Sequence, residues 1–445
     1  MLHRRRPFAL APLAALTLAL AACERQITDP VPSSRRPSLD HAPLPAAVFA
    51  RDLGVLPGDA RSEATYVSAD GATVYGYSYA TESPTPRRGF RWTSATGMQE
   101  VASIPSPVTY PLPSITPPPD GAVLPLAANA KGEATGIFCR VFFGGGAEGE
   151  YRCPSPLPWG QHERAFRYSR GGGLQDLDSF VPIESGGGVN RSYGLAINKW
   201  GHVAGMLIPN ADDEWRAMLW TPIDSLRLVG GFVNFQFGPS VDVRQALLND
   251  NDRVVFATYS NSDERVFAYE PGYGRRRLRP PVGLGGFDND DFESYSAALA
   301  QNNGAHVVGR SLYNFDTGRV NEFGEPVLEQ RERAVRWTLP ALSRAAFPQV
   351  NANPYGGTTS TVSLSRNGGQ YYQTYRATQT GANGPYVEHI DWGDGKSSRR
   401  TRSSITADAY QRHSYTKTGT YWVRVYVKDA GGHWGVSERR VTVVS

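Results

Sequence analysis

The chain of 445 residues is long enough for two or three folded domains, and it contains 47 glycines, 33 prolines and 11% aromatic residues. This composition excludes a disordered chain and predicts short strands with many turns in place of long helices. The formal net charge is +4, and removal of residues 1–22 would take away three arginines and no acid, leaving +1. Near neutrality argues against nucleic acid as a partner, because phosphate binding needs clustered uncompensated cations.

The first 22 residues have the pattern of an export signal. A basic region at Arg4–Arg6 is followed by an apolar run from about Phe8 to Leu20, and small residues precede Cys23. The apolar run is too short to favour a membrane-spanning helix. Whether export follows the general or the twin-arginine route stays open.

The tetrad Leu20-Ala21-Ala22-Cys23 resembles the lipobox of bacterial lipoproteins. The resemblance implies cleavage before Cys23 and lipid chains on that residue, which would make the membrane a partner through the N-terminus. Glu24 replaces the aspartate that retains such proteins in the inner membrane, which favours the outer membrane or cell surface. Ordinary secretion with an unmodified Cys23 is the alternative. The Pro/Ser-rich residues 23–47 predict an extended tether.

A hairpin pattern then occurs five times, at residues 66–76, 127–136, 192–205, 247–256 and 299–309. Each copy has a polar residue and, three positions later, glycine or aspartate, both typical of a tight turn between two short strands. The predicted turn pairs are Ser68 and Gly71, Asn129 and Gly132, Asn198 and Gly201, Asn249 and Asp252, and Gln301 and Gly304. Trp200, inside the third turn, is predicted to face solvent.

A second motif follows each hairpin and reads Arg, small or Val, apolar, any residue, Trp or Tyr. It occupies residues 88–93, 164–169, 216–221, 265–270 and 333–338. At a period of two it predicts a strand with the aromatic residue in the core, and sugar stacking by that residue is the alternative. Four copies continue into a further short strand, at 98–101, 174–177, 226–229 and 277–280.

The repeating unit of about fifty residues with three or four strands matches a β-propeller blade. The copies resemble the bacterial extracellular HAF repeats, with "RDLGVL" at 51–56 as a first strand and Arg in place of the family's His. The resemblance implies an all-β propeller of about five blades over residues 48–342 and little about activity. Since the fifth copy lacks its last strand, we predict that residues 49–56 pair beside residues 333–338 and close the ring.

Residues 347–445 resemble a polycystic-kidney-disease-type (PKD) domain, which implies an immunoglobulin-like β-sandwich. Strict alternation from Tyr421 to Val427 predicts a half-buried strand. Asp391 and Asp394 are interpreted as turn residues, with calcium ligation as the alternative. The residues that carry the resemblance are Trp392, Gly393, Asp394, Gly395, His413, Tyr415, Gly419 and Tyr421.

Cys139 and Cys153 remain as a pair once Cys23 is set aside. In an oxidising compartment they predict a disulfide, and two free thiols are the alternative. The basic cluster Arg275–Arg279 predicts a solvated loop or strand edge.

Carboxylates cluster in two Gly/Asn-rich segments, which would suit a glycosidase if they converged. They are Asp212, Asp213 and Glu214 in one segment, and Asp288, Asp290, Asp291 and Glu293 in the other. No metalloprotease, nucleophile-elbow or Walker pattern occurs in the sequence, so we expect no catalytic residues, no metal and no cofactor.

The leading hypothesis is therefore a non-catalytic, lipid-anchored surface protein that recognises glycans or other surface proteins. The PKD-type sandwich would be a spacer or a second binding module. The alternatives are a carbohydrate-active enzyme that uses the loop carboxylates and a structural component of the envelope.

Overall fold

In the residues that the computed structural model describes, every regular element is a β-strand. The structure describes residues 48–80, 88–101, 121–140, 163–177, 191–208, 215–233, 246–260, 263–279, 296–340, 347–354, 361–364, 368–378 and 384–445. In these ranges no helix is long and apolar enough to cross a membrane.

Each repeat copy folds as a small antiparallel sheet whose strands follow chain order. The first strand of the chain, β1 (Val48–Asp52), belongs with the last of these sheets. The first sheet contains β2 (Arg61–Val67), β3 (Thr73–Tyr79), β4 (Arg88–Thr93) and β5 (Gly97–Glu100). The second contains β6 (Gly121–Ala128), β7 (Ala134–Arg140), β8 (Glu163–Ser169) and β9 (Gly173–Asp176). The third contains β10 (Arg191–Ile197), β11 (Val203–Ile208), β12 (Trp215–Thr221) and β13 (Ser225–Val233).

The fourth and fifth sheets repeat this plan and are joined through β1. The fourth contains β14 (Ala246–Leu248), β15 (Val254–Ser260), β16 (Asp263–Glu270) and β17 (Gly274–Arg279). The fifth contains β18 (Ser296–Gln301), β19 (His306–Val320) and β20 (Pro326–Thr338). β19 and β20 run on past the sheet as a two-stranded ribbon, and Phe323 at its end is 79% exposed.

The N-terminal strand supplies the missing fourth strand of the fifth sheet. β1 lies antiparallel to β20, with Ala50 opposite Trp337 and Asp52 opposite Val335. The predicted pairing is therefore confirmed for residues 50–52. The N–H of Leu53 donates to the carbonyl of Ala334 at 2.9 Å, as the equivalent N–H groups do in the first and second sheets. Covering the edge of β20 in this way removes a strand edge that could pair with another chain.

The start of β1 pairs in parallel with β17 through Val48 and Phe49, so the predicted pairing beside residues 333–338 is wrong at residue 49. β1 lies beside β17 only at Leu278 and Arg279, so residues 274–277 form a strand edge as predicted, but the arginines of this strand are not fully solvated. Arg276 is only 8% exposed and lies 3.9 Å from Glu270, while Arg275 stacks over Phe267. The alternating buried and half-buried positions of this strand explain the difference, since its arginines pack along the sheet.

The core of the repeat region lies between neighbouring sheets. Separate clusters of buried apolar side chains join the second sheet to the third, the third to the fourth, the fourth to the fifth and the fifth to the first. The motif aromatics Trp92, Trp220, Tyr269 and Trp337 are each at most 3% exposed, so these rings are core residues as predicted, whereas Tyr168 of the second copy is only half-buried.

The C-terminal residues form a sandwich of a three-stranded and a five-stranded sheet around Trp392 and Tyr415. Its strands are β21 (Gln349–Pro354), β22 (Thr361–Ser363), β23 (Gly369–Thr378), β24 (Tyr386–Asp391), β25 (Ser397–Arg402), β26 (Ala409–Tyr415), β27 (Gly419–Lys428) and β28 (Trp434–Val444). We call residues 349–444 the C-terminal sandwich. β27 is buried on both faces from Val423 to Val427, not half-buried as predicted, because its second face packs on the repeat region. The described residues of the repeat region and the sandwich belong to one compact unit.

Candidate binding face formed by the repeat turns

The turns between the first two strands of the sheets are each closed by one polar side chain. In the second sheet, Asn129 Oδ1 accepts hydrogen bonds from the N–H groups of Lys131 at 3.0 Å and Glu133 at 3.2 Å. Asn198 and Asn249 close the next two turns in the same way. Three positions after the turn residue, φ is positive at Gly71, Gly132, Gly201 and Asp252. We call residues 68–72, 129–133, 198–202, 249–253 and 302–306, with the turns between third and fourth strands, the turn face.

The side-chain amides also link neighbouring turns. Each Nδ2 donates to a carbonyl of the next turn: Asn129 to Asn198 at 2.8 Å, Asn198 to Asn249 at 3.0 Å, Asn249 to Asn302 at 3.0 Å and Asn302 to Ser68 at 3.0 Å. Only an amide side chain offers the acceptor that closes a turn and the donor that reaches the next one. Ser68 lacks that donor, and its hydroxyl donates to Asp70 instead.

The fifth turn corrects the sequence alignment by one residue. Asn302, not Gln301, accepts the N–H of His306 at 3.1 Å, and the N–H of Asn302 donates to the carbonyl of His306. Gln301 instead donates through Nε2 to the carbonyl of Arg253. Gly304 consequently lies two positions after the turn residue, not three. Gln301 and Asn302 are both polar, but only Asn302 has the spacing of four to the residue whose N–H closes the turn.

The C-terminal sandwich docks on the turns of the second and third sheets through buried charges. Both Arg424 Nη atoms donate to the two Glu133 carboxylate oxygens, at 2.7 and 2.8 Å. Arg167 Nη2 donates to Glu133 at 2.8 Å and to Asp391 at 3.1 Å. Arg424, Glu133 and Arg167 are 1%, 4% and 7% exposed, so this is a buried network with bidentate geometry.

A second carboxylate on the sandwich completes the network. Arg424 Nε donates to Glu438 at 2.6 Å, and the ammonium group of Lys131 also contacts Glu438. With Glu133 and Asp391, the three carboxylates balance the charges of Arg167, Arg424 and Lys131. Complete pairing is what allows such charges to be buried, because one unpaired ion would cost several kcal/mol.

Burial by itself would raise the pKa of Glu133, but the guanidinium groups of Arg424 and Arg167 outweigh it and hold that pKa well below its ordinary value. Burial and the neighbouring Arg424 lower the pKa of Lys131. Burial also lowers the pKa of His389, at the same interface, to about 4. The docked state therefore favours an ionised Glu133 and a neutral His389.

Trp200 lies in this interface, so the prediction that it faces solvent is wrong. Its ring packs against Ile223, Tyr426 and Trp434. Its Nε1 donates to the carbonyl of Asp250 at 2.9 Å, and the Tyr426 hydroxyl donates to the Trp200 carbonyl at 3.1 Å. The docking surface thus combines an apolar anchor with the paired charges, as stable protein interfaces do.

The family-motif residues of the sandwich build one of its turns. Trp392 stacks on His413 with ring centroids 4.8 Å apart, and the Tyr415 hydroxyl donates to the Trp392 carbonyl at 2.9 Å. His413 Nε2 lies 2.8 Å from Asp394 Oδ2, and Tyr421 stacks on Tyr415. Gly393, Gly395 and Gly419 have positive φ.

This turn also touches the repeat region. A Cβ on Gly171, between β8 and β9, would lie 2.2 Å from the carbonyl oxygen of Gly393. Asp391 Oδ1 accepts the N–H of Gly393 at 2.9 Å, and Asp394 Oδ1 accepts the N–H of Lys396 at 3.1 Å. Both aspartates therefore bind amides of their own turn, as the turn interpretation requires. The described residues contain no group of three His, Cys, Asp or Glu side chains placed to hold a metal ion.

The turns of the fifth and first sheets lie outside the docked area. No hydrogen bond or ion pair joins them to the described residues of the sandwich. Arg336 occupies the motif position that Arg167 has in the second sheet, and Arg51 lies directly opposite it on β1. Both guanidinium carbons are 4.9 Å from the ring centroid of Trp92. Arg336 Nη1 donates to the Gly71 carbonyl at 3.1 Å, and its buried Nε has no partner among the described atoms.

Several predicted residues lie outside the described residues. Cys139 is part of β7, but its side chain is not described, so the predicted disulfide cannot be placed. The others are Cys23, Cys153, Asp212, Asp213, Glu214, Asp288, Asp290, Asp291 and Glu293.

No protein-family model matches the chain, and no curated protein matches it. Among solved structures, the PKD domain of an M14-like peptidase from a Thermoplasmatales archaeon is similar at 21% identity, covering 22% of this chain and 94% of that chain, with a TM-score of 0.18. The extracellular domain of a putative hybrid two-component system from B. thetaiotaomicron is similar at 8% identity, covering 91% and 58%, with a TM-score of 0.21.

A Ca²⁺-stabilised adhesin that helps an Antarctic bacterium bind ice is similar at 11% identity, covering 90% of this chain and 99% of that chain, with a TM-score of 0.18. The neighbours thus include a PKD domain and extracellular domains of sensor and adhesin proteins. With TM-scores near 0.2, none of these likenesses carries an argument about this chain.

Proposed function

We propose that the chain is an exported, lipid-anchored surface protein that binds a partner on the open part of its turn face. In this proposal the five repeat sheets are the blades of a five-bladed propeller of HAF type. The C-terminal sandwich is a PKD-type domain fixed to one side of that propeller. Cys23 carries the lipid, and residues 23–47 are the tether to the outer membrane or cell surface.

The sheet connections support the propeller. Four core clusters each join two neighbouring repeat sheets, and the chain of Asn side chains returns from the fifth turn to the first. The N-terminal strand completes the last sheet, which is how a ring of blades is closed by one chain.

The observation that carries the proposal is the division of the turn face. The sandwich contacts its turns in the second and third sheets, whereas Asp70, Asn303 and Gly304 in the first and fifth sheets are exposed and form no hydrogen bond or ion pair with the described residues of the sandwich. Exposed turns on a rigid scaffold are where binding residues concentrate. Because separating buried ion pairs is costly, we take the sandwich to be fixed beside that face and not to act as a flexible spacer.

The binding test uses the full-length chain with Cys23→Ser, exported and purified without lipid. It is applied to arrays of neutral glycans, acidic glycans and envelope proteins. We expect a ligand whose binding is lost on combined Asp70→Ala and Asn303→Ala substitution and is kept in Asn321→Ala, a matched change in the exposed turn between β19 and β20. A ligand that is indifferent to the turn substitutions would contradict the proposal.

Anchoring is tested separately in cells by labelling with a radioactive fatty acid. The wild-type chain should incorporate the label and the Cys23→Ser variant should not. Equal labelling of both chains would overturn the assignment of the lipid to Cys23.

A further inference from the structure

Arg51 and Arg336 form a pair of like charges on neighbouring strands. They are Cα partners on β1 and β20, and both guanidinium groups lie over the Trp92 ring. In the described residues, no carboxylate lies within ion-pair distance of either group. Like charges directly opposite one another destabilise a sheet. An anion bound between the two guanidinium groups would remove this repulsion.

The second sheet shows which anion fits that position. Arg167 occupies the same motif position as Arg336, and it also lies over the aromatic residue of the next sheet, 5.7 Å from the Trp220 ring. Its charge is compensated by Glu133 and by Asp391 from the docked sandwich. The second sheet therefore shows that a carboxylate fits beside an arginine at this position, and planar guanidinium groups bind carboxylates in matching geometry.

The surroundings favour a sugar over a protein as the carrier of that carboxylate. The docked protein module uses Trp200 as an apolar anchor, whereas Asp70 and Gly304 occupy the equivalent turn positions here. None of the described large apolar side chains that are exposed belongs to these two turns. Asp70 and Asn303 are exposed polar residues, with the Asn303 amide also hydrogen-bonded to Asp250, and such groups suit sugar hydroxyls, while a protein interface needs apolar anchors.

Other charged groups at the site do not neutralise the arginines. Asp70 lies one residue before Gly71, but its Oδ1 accepts from Ser68 Oγ at 2.6 Å and from the N–H of Ala72 at 3.0 Å. His306 packs against Gly71, where a Cβ would lie 1.7 Å from its ring. Glycine at position 71 thus lets the turn approach both His306 and Arg336.

We propose that Arg51 and Arg336 bind the carboxylate of a uronic acid in an acidic polysaccharide. This rests on the proposed function and names the ligand class of the same face. Arg336 holds the carboxylate from the position that Arg167 has in the second sheet, Arg51 supplies the second charge, and the turn residues at 70 and 303 face the sugar hydroxyls.

The test is calorimetric titration of the full-length Cys23→Ser protein with trigalacturonate. The parallel probes are a neutral trisaccharide of galactose, a triglutamate peptide and sodium sulfate. We expect saturable binding of trigalacturonate and none of the neutral sugar. Arg336→Gln or Arg51→Gln should weaken binding about ten- to hundredfold, since one charge-assisted contact is removed. The control Arg440→Gln, an exposed arginine on β28, should change it less than about twofold.

Thermal unfolding of each variant establishes that it is folded before binding is compared. Triglutamate binding as tight as trigalacturonate would assign the site to a protein carboxylate, and sulfate binding alone would assign it to any small anion. Either result overturns the sugar assignment. If an array ligand requires Asp70 and Asn303 while trigalacturonate does not bind, this inference fails and the proposed function stands. If neither ligand is found, both fail.

Discussion

Arg167 and Arg336 are the same residue of the same motif in two copies of one repeat, yet their surroundings differ. Arg167 is 7% exposed beneath the C-terminal sandwich and contacts two carboxylates. Arg336 lies beside Arg51 on the open part of the turn face, where no described carboxylate reaches it. The second and fifth copies therefore place an arginine at the same position, and in the second copy Glu133 and the docked sandwich supply the compensating charge.

The same contrast extends to the turns themselves. In the third copy the middle of the turn is Trp200, which anchors the sandwich, and in the first copy it is the exposed Asp70. The turn at Asn198 closes on His202 and the turn at Ser68 closes one residue further on, at Thr73, so related turns serve a protein interface at one position and a polar surface at another. The two regions differ mainly in the side chains that their turns present, so the comparison can be tested by single substitutions.

We expect the largest effect from removing the Glu133 carboxylate, which lies at the centre of the buried charge network beneath the sandwich. Glu133→Gln leaves Arg424 and Arg167 buried with too little negative charge, so we expect unfolding to require about 3–5 kcal/mol less. The measurement is urea unfolding of the full chain at pH 7. The matched change Glu100→Gln removes a surface partner of Arg88 that is 57% exposed and should cost about 1 kcal/mol or less. Similar small effects for both variants would mean that the buried network does not hold the sandwich.

Acid should lower the unfolding free energy through His389, which lies at the interface between the sandwich and the repeat region. Its pKa is lowered from 6.5 to about 4 in the fold by burial, so as the pH falls the unfolded chain takes up the proton first. This contribution is complete above pH 6.5 and is lost progressively towards pH 4, by about 3 kcal/mol in total. It is measured as the change in unfolding free energy between pH 7 and pH 4.

Two variants isolate that contribution. His389→Phe should flatten the profile between pH 6.5 and 4, and its cost should be small because Nδ1 of His389 has no partner among the described atoms. His433→Phe leaves His389 in place and should keep the slope. An unchanged slope in His389→Phe would show that other groups carry the acid sensitivity.

We expect a smaller loss of unfolding free energy when the asparagine of a turn is replaced, and this loss should be greater in a buried turn than in an exposed one. Asn198→Ala removes a side chain that donates to Asn249 O and accepts two N–H groups of its own turn, and it is 4% exposed. We expect a loss of about 1–3 kcal/mol because those buried groups remain unpaired. Asn321 closes an exposed turn by the same two backbone bonds, and Asn321→Ala should cost about 1 kcal/mol or less. Equal losses would show that the links between turns contribute nothing.

The sequence predicts much of the local structure, because period-two alternation and Asn-x-x-Gly turns are properties of short segments. It also predicts the pairing of β1 with β20, and Asp52-Leu53 carries a signal that could have strengthened this, since Asp176-Leu177 ends the fourth strand of the second sheet. The one-residue error at Gln301 arose because two polar residues adjoin. The spacing of four to His306, which matches Asn198 to His202, would have resolved it.

The docking surface was missed because it consists of contacts between distant parts of the chain. Glu133 and Arg424 are 291 residues apart, and nothing in the local pattern around Glu133 marks it as buried. Arg424 offered a weak signal, since it lies among aliphatic residues in "YWVRVYV". The Arg51 and Arg336 pair likewise depends on which strand closes the fifth sheet, and its significance appears only when Arg167 is seen with its carboxylates.

The smallest expected effect comes from replacing one arginine by glutamine on the open part of the turn face, and it is compared with the same replacement beneath the sandwich. Without ligand, Arg51→Gln removes a like charge next to Arg336, so we expect the unfolding free energy to stay within about 0.5 kcal/mol of wild type or to rise by that amount. Arg167→Gln should lower it by several kcal/mol, because Glu133 and Asp391 lose a buried partner. Urea unfolding at low salt measures both. A loss above about 1 kcal/mol for Arg51→Gln would show that Arg51 is already compensated within the chain, and the two regions would then differ only in burial.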